Sequence, residues 1–286
     1  MTLLSLFKKS VRIPKVFSYA LFITTVFLFT CATHPYSQDL DVPYVPTPQP
    51  VVDRMLELAL VDSSDYVIDL GSGDGRIVIS AAKEGATGHG IDLDPQRIRE
   101  ARENARKANV QDRVIFMQDD IFVTDFSQAS VITMYLLSSV NKKLRPRLLE
   151  ELRPGTRVVS HSFDMDEWKA DHSETVDEQV GGYHRIYLWI IPARMDGRWK
   201  WSMEGDDYTM DVSQEFQEID LDVRAGRNDL ETGKSILRGK RITFRANHGR
   251  SNYVFSGHVE DNQIRGTVQI RSGNDERVES WSATKQ

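Results

Sequence analysis

The sequence predicts an α/β fold with a mainly parallel sheet, followed by a small all-β antiparallel domain. Between residues 51 and 192, short apolar runs of strand type alternate with segments that have the 3.6-residue repeat of amphipathic helices. From about Gly197 onward no helical repeat survives, and short alternating runs separated by Gly, Asn and Asp indicate a β-sandwich or a barrel. We therefore predict one domain over residues 51–195 and a second over residues 196–286.

Composition and charge narrow the class of protein. The chain has 286 residues, of which 40% are hydrophobic and 27% charged, which is ordinary for a globular protein of about two domains. The formal charge is −6, yet residues 1–32 carry four basic and no acidic side chains, so the rest of the chain is clearly acidic. An acidic body does not suit contacts with a phosphate backbone, and we expect no nucleic acid as a partner.

The amino-terminal segment indicates a membrane. Residues 16–32 are uncharged and follow a basic stretch; as a helix they span about 25 Å, slightly less than a hydrocarbon core of about 30 Å. They fit a cleaved signal peptide, a retained anchor or, around Cys31, a lipoprotein-like segment. Each interpretation predicts a protein that is membrane-associated or exported to the bacterial cell envelope. Cys31 is the only cysteine, so no disulfide framework and no cysteine zinc site is expected in the body, and we predict no metal-binding residues.

The elements of the first domain follow in order. Residues 33–50 contain five prolines and predict an extended linker, because proline stops a helix from continuing. Asp94 and Pro95 form a helix start, with the aspartate as cap and the proline in the first turn. The pattern predicts helices at about 51–59, 77–83, 94–108 and 141–152, and strands at 66–70, 88–93, 113–120, 129–137, 156–163 and 184–191.

The second domain is predicted from alternating apolar and polar residues alone. Its Trp199, Trp201 and Trp281 would form either a binding platform for carbohydrate or peptide or part of the core, and their alternating positions favour the core. The alternating runs lie at 198–203, 207–216, 240–246, 252–259, 264–270 and 281–283.

The strongest functional signal follows the first strand, in the run DLGSGDGR at 69–76. Gly71, Gly73 and Gly75 allow a tight turn and let a ligand approach the backbone of the loop, Ser72 included. The next helix directs free N–H groups at an anionic or carboxylate group. In a dinucleotide site the third glycine stands one residue later than it does here. The pattern D-x-G-x-G-x-G resembles motif I of class I methyltransferases, which bind S-adenosyl-L-methionine.

Three carboxylates end consecutive strands and strengthen this interpretation. Asp69 is the motif I acid and suits the methionine ammonium; Asp92, 21 residues after Gly71, suits the two ribose hydroxyls. Asp120 ends the third strand, where class I methyltransferases commonly place an acid against the adenine amino group. Any one of them alone is equally consistent with a solvated strand end. Together they lie around one crevice, at the sheet edge where open α/β folds bind ligands.

Several runs together resemble one family more closely. The segments 42–59, 67–82, 130–137 and 152–165 are similar to the mitochondrial lysine methyltransferases that modify the ATP synthase c-ring protein and the adenine nucleotide translocase, together with bacterial relatives. This resemblance covers about residues 42–192 and does not include the C-terminal β region. It implies a Rossmann-like class I fold with a seven-stranded sheet, S-adenosyl-L-methionine as cofactor, and N-methylation of a lysine in a protein substrate.

The same resemblance supplies candidates for the catalytic residues. Four residues would surround the acceptor amine and orient it. They are Tyr44, Pro46 and Thr47, in the substrate-side part of the proline-rich loop, and Tyr135, at the end of the fourth strand. The alternatives are a linker tyrosine stacked on proline for Tyr44 and a core aromatic for Tyr135. A histidine after the fifth strand, His161, is expected to be a structural hydrogen-bonding residue.

We therefore predict a methyltransferase that acts on a lysine of a membrane or envelope protein. Two alternatives remain open at this level. One is an envelope-located binding protein whose methyltransferase domain is inactive, because the cofactor is made in the cytoplasm and the body is predicted to lie beyond the membrane. The other is an NAD(P)-binding oxidoreductase, which the glycine spacing disfavours. The sequence carries no signal for the oligomeric state.

Overall fold

The computed structural model describes residues 44–176 and 182–286. Its first sheet has seven strands in the order β3-β2-β1-β4-β5-β7-β6, and β7 runs antiparallel to both of its neighbours. The predicted α/β fold with a mainly parallel sheet is confirmed, and the strand order is that of the class I fold. The strands are β1 (Tyr66–Leu70), β2 (Thr87–Asp92), β3 (Val114–Gln118), β4 (Val131–Met134), β5 (Arg157–His161), β6 (His172–Val176) and β7 (His184–Ile190); the helices are α1 (Gln49–Leu58), α2 (Arg76–Lys83), α3 (Pro95–Lys107) and α4 (Ser138–Glu151).

Helices cover both faces of this sheet. On one face, Val51 and Met55 of α1 pack with Val67 of β1; on the other, Leu144 of α4 packs with Ile68 of the same strand. All five side chains are fully buried, and burying each one stabilises the fold by about 1.5–3 kcal/mol. Because both faces are covered, β1 is a continuous apolar run rather than an alternating one.

The start of α3 matches its sequence signature. Asp94 Oδ1 accepts the backbone N–H of Gln96 at 2.7 Å, and Pro95 occupies the first helical position. This cap satisfies one of the four N–H groups that a helix start leaves without a partner. It places the end of β2, and with it Asp92, in a defined position beside the helix.

The second sheet has ten antiparallel strands between residues 197 and 285. Ser235 Oγ donates to the carbonyl of Ile219 at 2.6 Å, and the N–H of Leu230 donates to the carbonyl of Val223 at 2.9 Å, so residues 230–238 close against β10 in a barrel-like arrangement. The strands are β8 (Gly197–Met203), β9 (Asp206–Glu215), β10 (Glu218–Ala225), β11 (Asn228–Asp229), β12 (Glu231–Thr232), β13 (Ile236–Arg238), β14 (Arg241–His248), β15 (Ser251–Glu260), β16 (Gln263–Ser272) and β17 (Asp275–Lys285).

The tryptophans of the β region belong to its core. Trp199 is fully buried, and Trp201 and Trp281 are each 5% exposed. Trp201 packs edge-on against Trp281 with ring centroids 5.4 Å apart. The core interpretation is therefore confirmed over the binding platform.

Some sequence-based expectations fall outside the described residues. The apolar segment 16–32 and residues 33–43 of the predicted linker are among these. In the described part of the chain, no helix has the length and apolar character that crossing a membrane requires.

Candidate active site

A cavity opens at the carboxyl ends of β1, β2 and β4. Its empty volume is about 930 Å³, including the open space at its mouth. Its wall includes eight of the ten site residues predicted from the sequence: Tyr44, Thr47, Asp69, Gly71, Ser72, Gly73, Asp92 and Tyr135. The other two, Gly75 and Asp120, are not on the wall.

The glycine loop, residues 71–75, is hydrogen-bonded to the end of β2. The N–H groups of Gly71 and Ser72 both donate to the carbonyl of Ile91, at 2.9 and 2.8 Å, and the N–H of Gly73 donates to Asp92 Oδ2 at 2.8 Å. These bonds extend the β1–β2 pairing into the loop. The backbone of the loop is thereby held as one wall of the cavity.

Two of the loop glycines are required by their conformation and their neighbours. Gly73 has φ +52°, and a Cβ there would lie 2.5 Å from Cε2 of Tyr44. Gly75 has φ +80° and caps α2, and a Cβ there would lie 2.6 Å from Cζ of Phe116. This glycine permits packing of α2 on β3 and is not part of the cavity wall, so its contact with the cofactor stays a prediction.

Asp69 is a buried acid at the floor of the cavity. It is 2% exposed, and its Oδ1 accepts the hydroxyl of Thr133 at 2.7 Å. Burial raises the pKa of Asp69 to about 7; the bond from Thr133 lowers it, and the nearby negative charge of Asp92 raises it further. A positive group brought into the cavity would favour the ionised form, which suits the predicted partner, an ammonium.

Asp92 already holds backbone groups through both oxygens. Its Oδ2 accepts from Gly73 and its Oδ1 accepts the N–H of Asp94 at 2.9 Å. Burial raises its pKa above the ordinary value, while these two bonds act in the opposite direction. Each carboxylate oxygen has two lone pairs, so capacity remains for hydroxyl donors from the cavity.

The structure does not bring Asp120 to the cavity wall. Strand β3 ends at Gln118, two residues earlier than the sequence predicted, and Asp120 lies in the turn that follows. Its Oδ1 accepts the N–H of Phe122 at 2.8 Å, so the carboxylate stabilises its own turn. Ile121 lines the cavity in its place. The contact of Asp120 with adenine stays a prediction.

The segment 44–47 forms one side of the cavity and is held there by two arginines that the sequence analysis missed. The guanidinium of Arg97 lies 4.4 Å from the centroid of the Tyr44 ring. Arg76 donates from Nη1 to the carbonyl of Thr47 at 2.8 Å and from Nη2 to Asp74 Oδ2 at 2.6 Å. Both arginines belong to helices, where the sequence offers no signal that distinguishes them from solvated charges.

Thr47 and Tyr135 meet at a buried histidine. Thr47 Oγ1 lies 3.1 Å from Nδ1 of His161, and the ring of Tyr135 packs against that histidine at a tilt, with centroids 3.9 Å apart. Thr47 is 3% exposed and His161 is fully buried. Burial lowers the pKa of His161 to about 4, and His184 lowers it further, so the ring is neutral at physiological pH.

Comparison with known proteins identifies the domain that contains this cavity. A family model described as the ANTKMT methyltransferase domain matches residues 69–172. A protein-lysine N-methyltransferase of Saccharolobus islandicus is 46% identical over 153 residues, which are 52% of this chain and 94% of that protein. This chain belongs to that methyltransferase family.

Other relatives carry the same domain. The lysine N-methyltransferase of Xenopus laevis that is named for the C-subunit of ATP synthase is 33% identical over 172 residues, 57% of this chain and 76% of that protein. The adenine nucleotide translocase lysine N-methyltransferase of Mus musculus is 34% identical over 131 residues, 46% of this chain and 57% of that protein. A solved structure described as an RNA methyltransferase from Salinibacter ruber, in complex with S-adenosyl-L-homocysteine, has 57% sequence identity and a TM-score of 0.49, and the match covers 53% of this chain and 96% of that one.

The protein is thus a class I methyltransferase, and its cofactor is S-adenosyl-L-methionine. The cavity fits this molecule in three respects. The buried Ser72 Oγ has no hydrogen-bond partner among the described residues and belongs to the wall, so a polar ligand group would satisfy it. Asp69 would hold the ammonium and Asp92 the ribose hydroxyls. Gly73 has no side chain, so a ligand in the cavity could approach its backbone closely.

Proposed function

We propose that this methyltransferase N-methylates a lysine side chain of a membrane or cell-envelope protein. The observation that carries the proposal is the mixed lining of one cavity. Asp69, Asp92 and the glycine loop supply polar wall groups that suit the cofactor. Pro46, Leu136 and Val140, with Thr47 and Tyr135, supply largely apolar wall groups that suit an alkylamine. The relatives named for lysine methylation of ATP synthase and of the adenine nucleotide translocase support the same acceptor class.

The apolar wall residues would lower the pKa of the acceptor amine. The cofactor supplies a methyl group bonded to a positively charged sulfur, and the acceptor nitrogen needs a free lone pair to take it. A free lysine has a pKa of about 10.4, so holding it unprotonated at neutral pH costs roughly 4–5 kcal/mol. Apolar walls lower the pKa of an amine, and Thr47 Oγ1 can accept from its N–H groups and orient it.

The acceptor is tested by methyl transfer from labelled S-adenosyl-L-methionine. The full chain in detergent is incubated with membrane and envelope proteins of its source organism, and the modified residue is located by mass spectrometry. We expect methyl-lysine, and we expect Asp92→Ala to reduce the labelling. Cofactor binding without transfer would instead favour the inactive binding protein. Total RNA from the same cells is offered as a second acceptor, because an apolar cavity wall also suits a flat nucleobase. Label on RNA alone would overturn the proposal.

Membrane association is proposed to depend on residues 16–32. A reporter fused after residue 195 distinguishes the two sides of the membrane, and we expect activity from a reporter that works only outside the cytoplasm. Deleting residues 1–32 should release the protein from the membrane fraction. A reporter active only in the cytoplasm would contradict export, and retention of the deleted chain on membranes would contradict association through this segment.

A further inference from the structure

A continuous hydrogen-bonded chain of three side chains leads away from the cavity wall. It begins at Thr47 Oγ1, which bonds His161 Nδ1 at 3.1 Å. His161 Nε2 then bonds Nδ1 of His184 at 2.9 Å. His161 ends β5 and is fully buried, whereas His184 begins β7 and is partly exposed. The chain therefore connects the cavity wall with the border of the sheet.

The bonds are consistent with one direction of proton donation. If the Thr47 hydroxyl donates to Nδ1 of His161, that ring carries its proton on Nε2 and donates it to His184 Nδ1. His184 then carries its own proton on Nε2, an atom that is buried and has no hydrogen-bond partner among the described residues. In this direction the lone pairs of Thr47 Oγ1 stay available to an N–H donor in the cavity. Tyr135 packs against His161 with the two ring planes tilted by 37°.

His161 is surrounded by groups that favour its neutral form, so it can transfer a proton without storing it. The titratable groups that contact its ring are Tyr135 and His184, and no carboxylate among the described residues bonds to it. Burial and the neighbouring His184 lower the pKa of His161 to about 4. A neutral imidazole accepts at one nitrogen while it donates at the other, which a charged imidazolium cannot do.

We propose that His161 passes the proton of the acceptor lysine from Thr47 to His184. The proposal rests on the proposed lysine acceptor. The lysine ammonium gives one proton to Thr47 Oγ1, whose own proton passes to His161 Nδ1, and the Nε2 proton of His161 passes to His184 Nδ1, so that His184 becomes an imidazolium. The lysine is left as a neutral amine. The partly exposed His184 then gives up the extra proton to solvent and both rings return to their starting tautomers, so one proton leaves for each methyl group transferred and no other reactant is needed. His161 and His184 are positioning residues, because they act through Thr47.

The pH dependence of methyl transfer separates conduction from packing. His161→Gln keeps a side chain that can bond both neighbours but does not pass a proton from one to the other. We expect single-turnover methylation of the acceptor to fall at least about tenfold at pH 7 and to approach the wild-type rate near pH 10, where the neutral fraction of a free lysine has risen to roughly 30%. His184→Gln should behave in the same way, and His172→Gln, an exposed histidine of β6, should have no effect at either pH. A deficit that is equal at all pH values would overturn the proposal.

Nitrogen NMR of the histidine rings tests the same chain without an acceptor. In the wild-type protein we expect His161 to be protonated on Nε2 and not on Nδ1 from pH 6 to 9. Thr47→Val removes the hydroxyl at nearly constant shape and should shift the signals of both His161 and His184. A charged His161 at pH 7, or a proton on its Nδ1, would overturn the relay even if lysine methylation is found. An active wild-type enzyme that modifies RNA rather than lysine would overturn the proposed function, and with it the proton that the relay would carry.

Discussion

The acid at the end of β1 is the residue whose chemistry depends most on its surroundings. Asp69 stands in a run that any class I sequence pattern would pick out, yet its protonation follows from its being buried between Thr133 and the negative charge of Asp92. The ligand-free protein therefore holds a carboxyl group that titrates near neutrality. Binding of a positive group beside it would convert that group to a carboxylate.

The raised pKa of Asp69 predicts how stability depends on pH. The folded-state pKa is about 7 and the unfolded value is near 3.8, so the folded state binds the proton more tightly. The contribution of this group to stability is complete below about pH 4 and is lost as the pH rises to about 7. Asp69→Asn should remove this loss. In urea denaturation, the difference in unfolding free energy between pH 5 and pH 8 should therefore be smaller in the variant than in the wild type.

Thr133→Val provides the matched control for Asp69. It removes the bond that lowers the pKa of Asp69 and keeps the carboxyl group, so the loss of stability should extend to higher pH. Equal pH dependence in the wild type and in Asp69→Asn would show that Asp69 is ionised in the free protein, contrary to the assignment.

Asp92 is expected to contribute more to cofactor affinity than Asp120. Asp92→Ala removes a carboxylate that would accept two ribose hydroxyls, a loss of about 3 kcal/mol or on the order of a hundredfold in Kd. The measurement is calorimetric titration with S-adenosyl-L-methionine, and Asp112→Ala, which changes an exposed carboxylate, serves as the control. Asp120→Ala tests the adenine prediction: unchanged affinity would agree with its place outside the wall, and a large loss would restore it as a ligand. Unchanged affinity in Asp92→Ala would reject the crevice assignment.

At the level of elements, the sequence predicted strands best where both faces of the sheet are covered. The bounds of β1 agree with the prediction, because a buried parallel strand is a continuous apolar run with turn residues on both sides. Strand β6 was missed, since HSETV is a polar strand at the edge of the sheet. Strand β10 was missed because three acids occupy its outer face, although its alternation with buried residues is regular.

The glycine loop predicts a difference between two Gly→Ala substitutions. Gly73 and Gly249 have similar positive φ angles, +52° and +61°, so alanine costs about 1–2 kcal/mol of backbone strain at each. Only at Gly73 would the new Cβ also meet the Tyr44 ring; at Gly249 the space is open. We expect Gly73→Ala to weaken binding of S-adenosyl-L-methionine at least tenfold and Gly249→Ala to leave it unchanged. Equal cofactor affinity in the two variants would show that Tyr44 does not close on the loop.

At the scale of the whole molecule, the β9–β10 turn joins the two sheets. Phe216, at the tip of the turn, stacks on Trp168 with centroids 5.8 Å apart, and the guanidinium of Arg145 lies 5.3 Å from its ring. The neighbouring Gln217 accepts from Trp168 Nε1 at 2.8 Å and donates to the carbonyl of Lys169 at 2.8 Å. The contact is thus both apolar and directional.

Phe216→Ala is expected to weaken this connection. Loss of the stacked ring and of its contact with the guanidinium should lower the free energy of unfolding by about 1–3 kcal/mol. The measurement is denaturant unfolding of the full chain. Val278→Ala, which truncates a side chain that is 65% exposed on β17, should change it by less than about 0.5 kcal/mol. A similar small effect in both variants would mean that the turn contributes no stability between the sheets.

The sequence by itself determined the four helices and most of the strands, though not β6 or β10, together with the change from α/β to antiparallel β near residue 196 and the glycine loop with Asp69 and Asp92. It could do so because periodicity and spacing are local properties of the chain. Only the tertiary structure decided which side chains share the cavity. In the folded protein the Asp120 carboxylate accepts a backbone N–H of the turn in which it lies, and Gly75 lies next to Phe116. His161 contacts both Thr47 and Tyr135. Thr47 and His161 are 114 positions apart in the chain, and a contact over that separation depends on packing of the whole sheet, which no local pattern encodes.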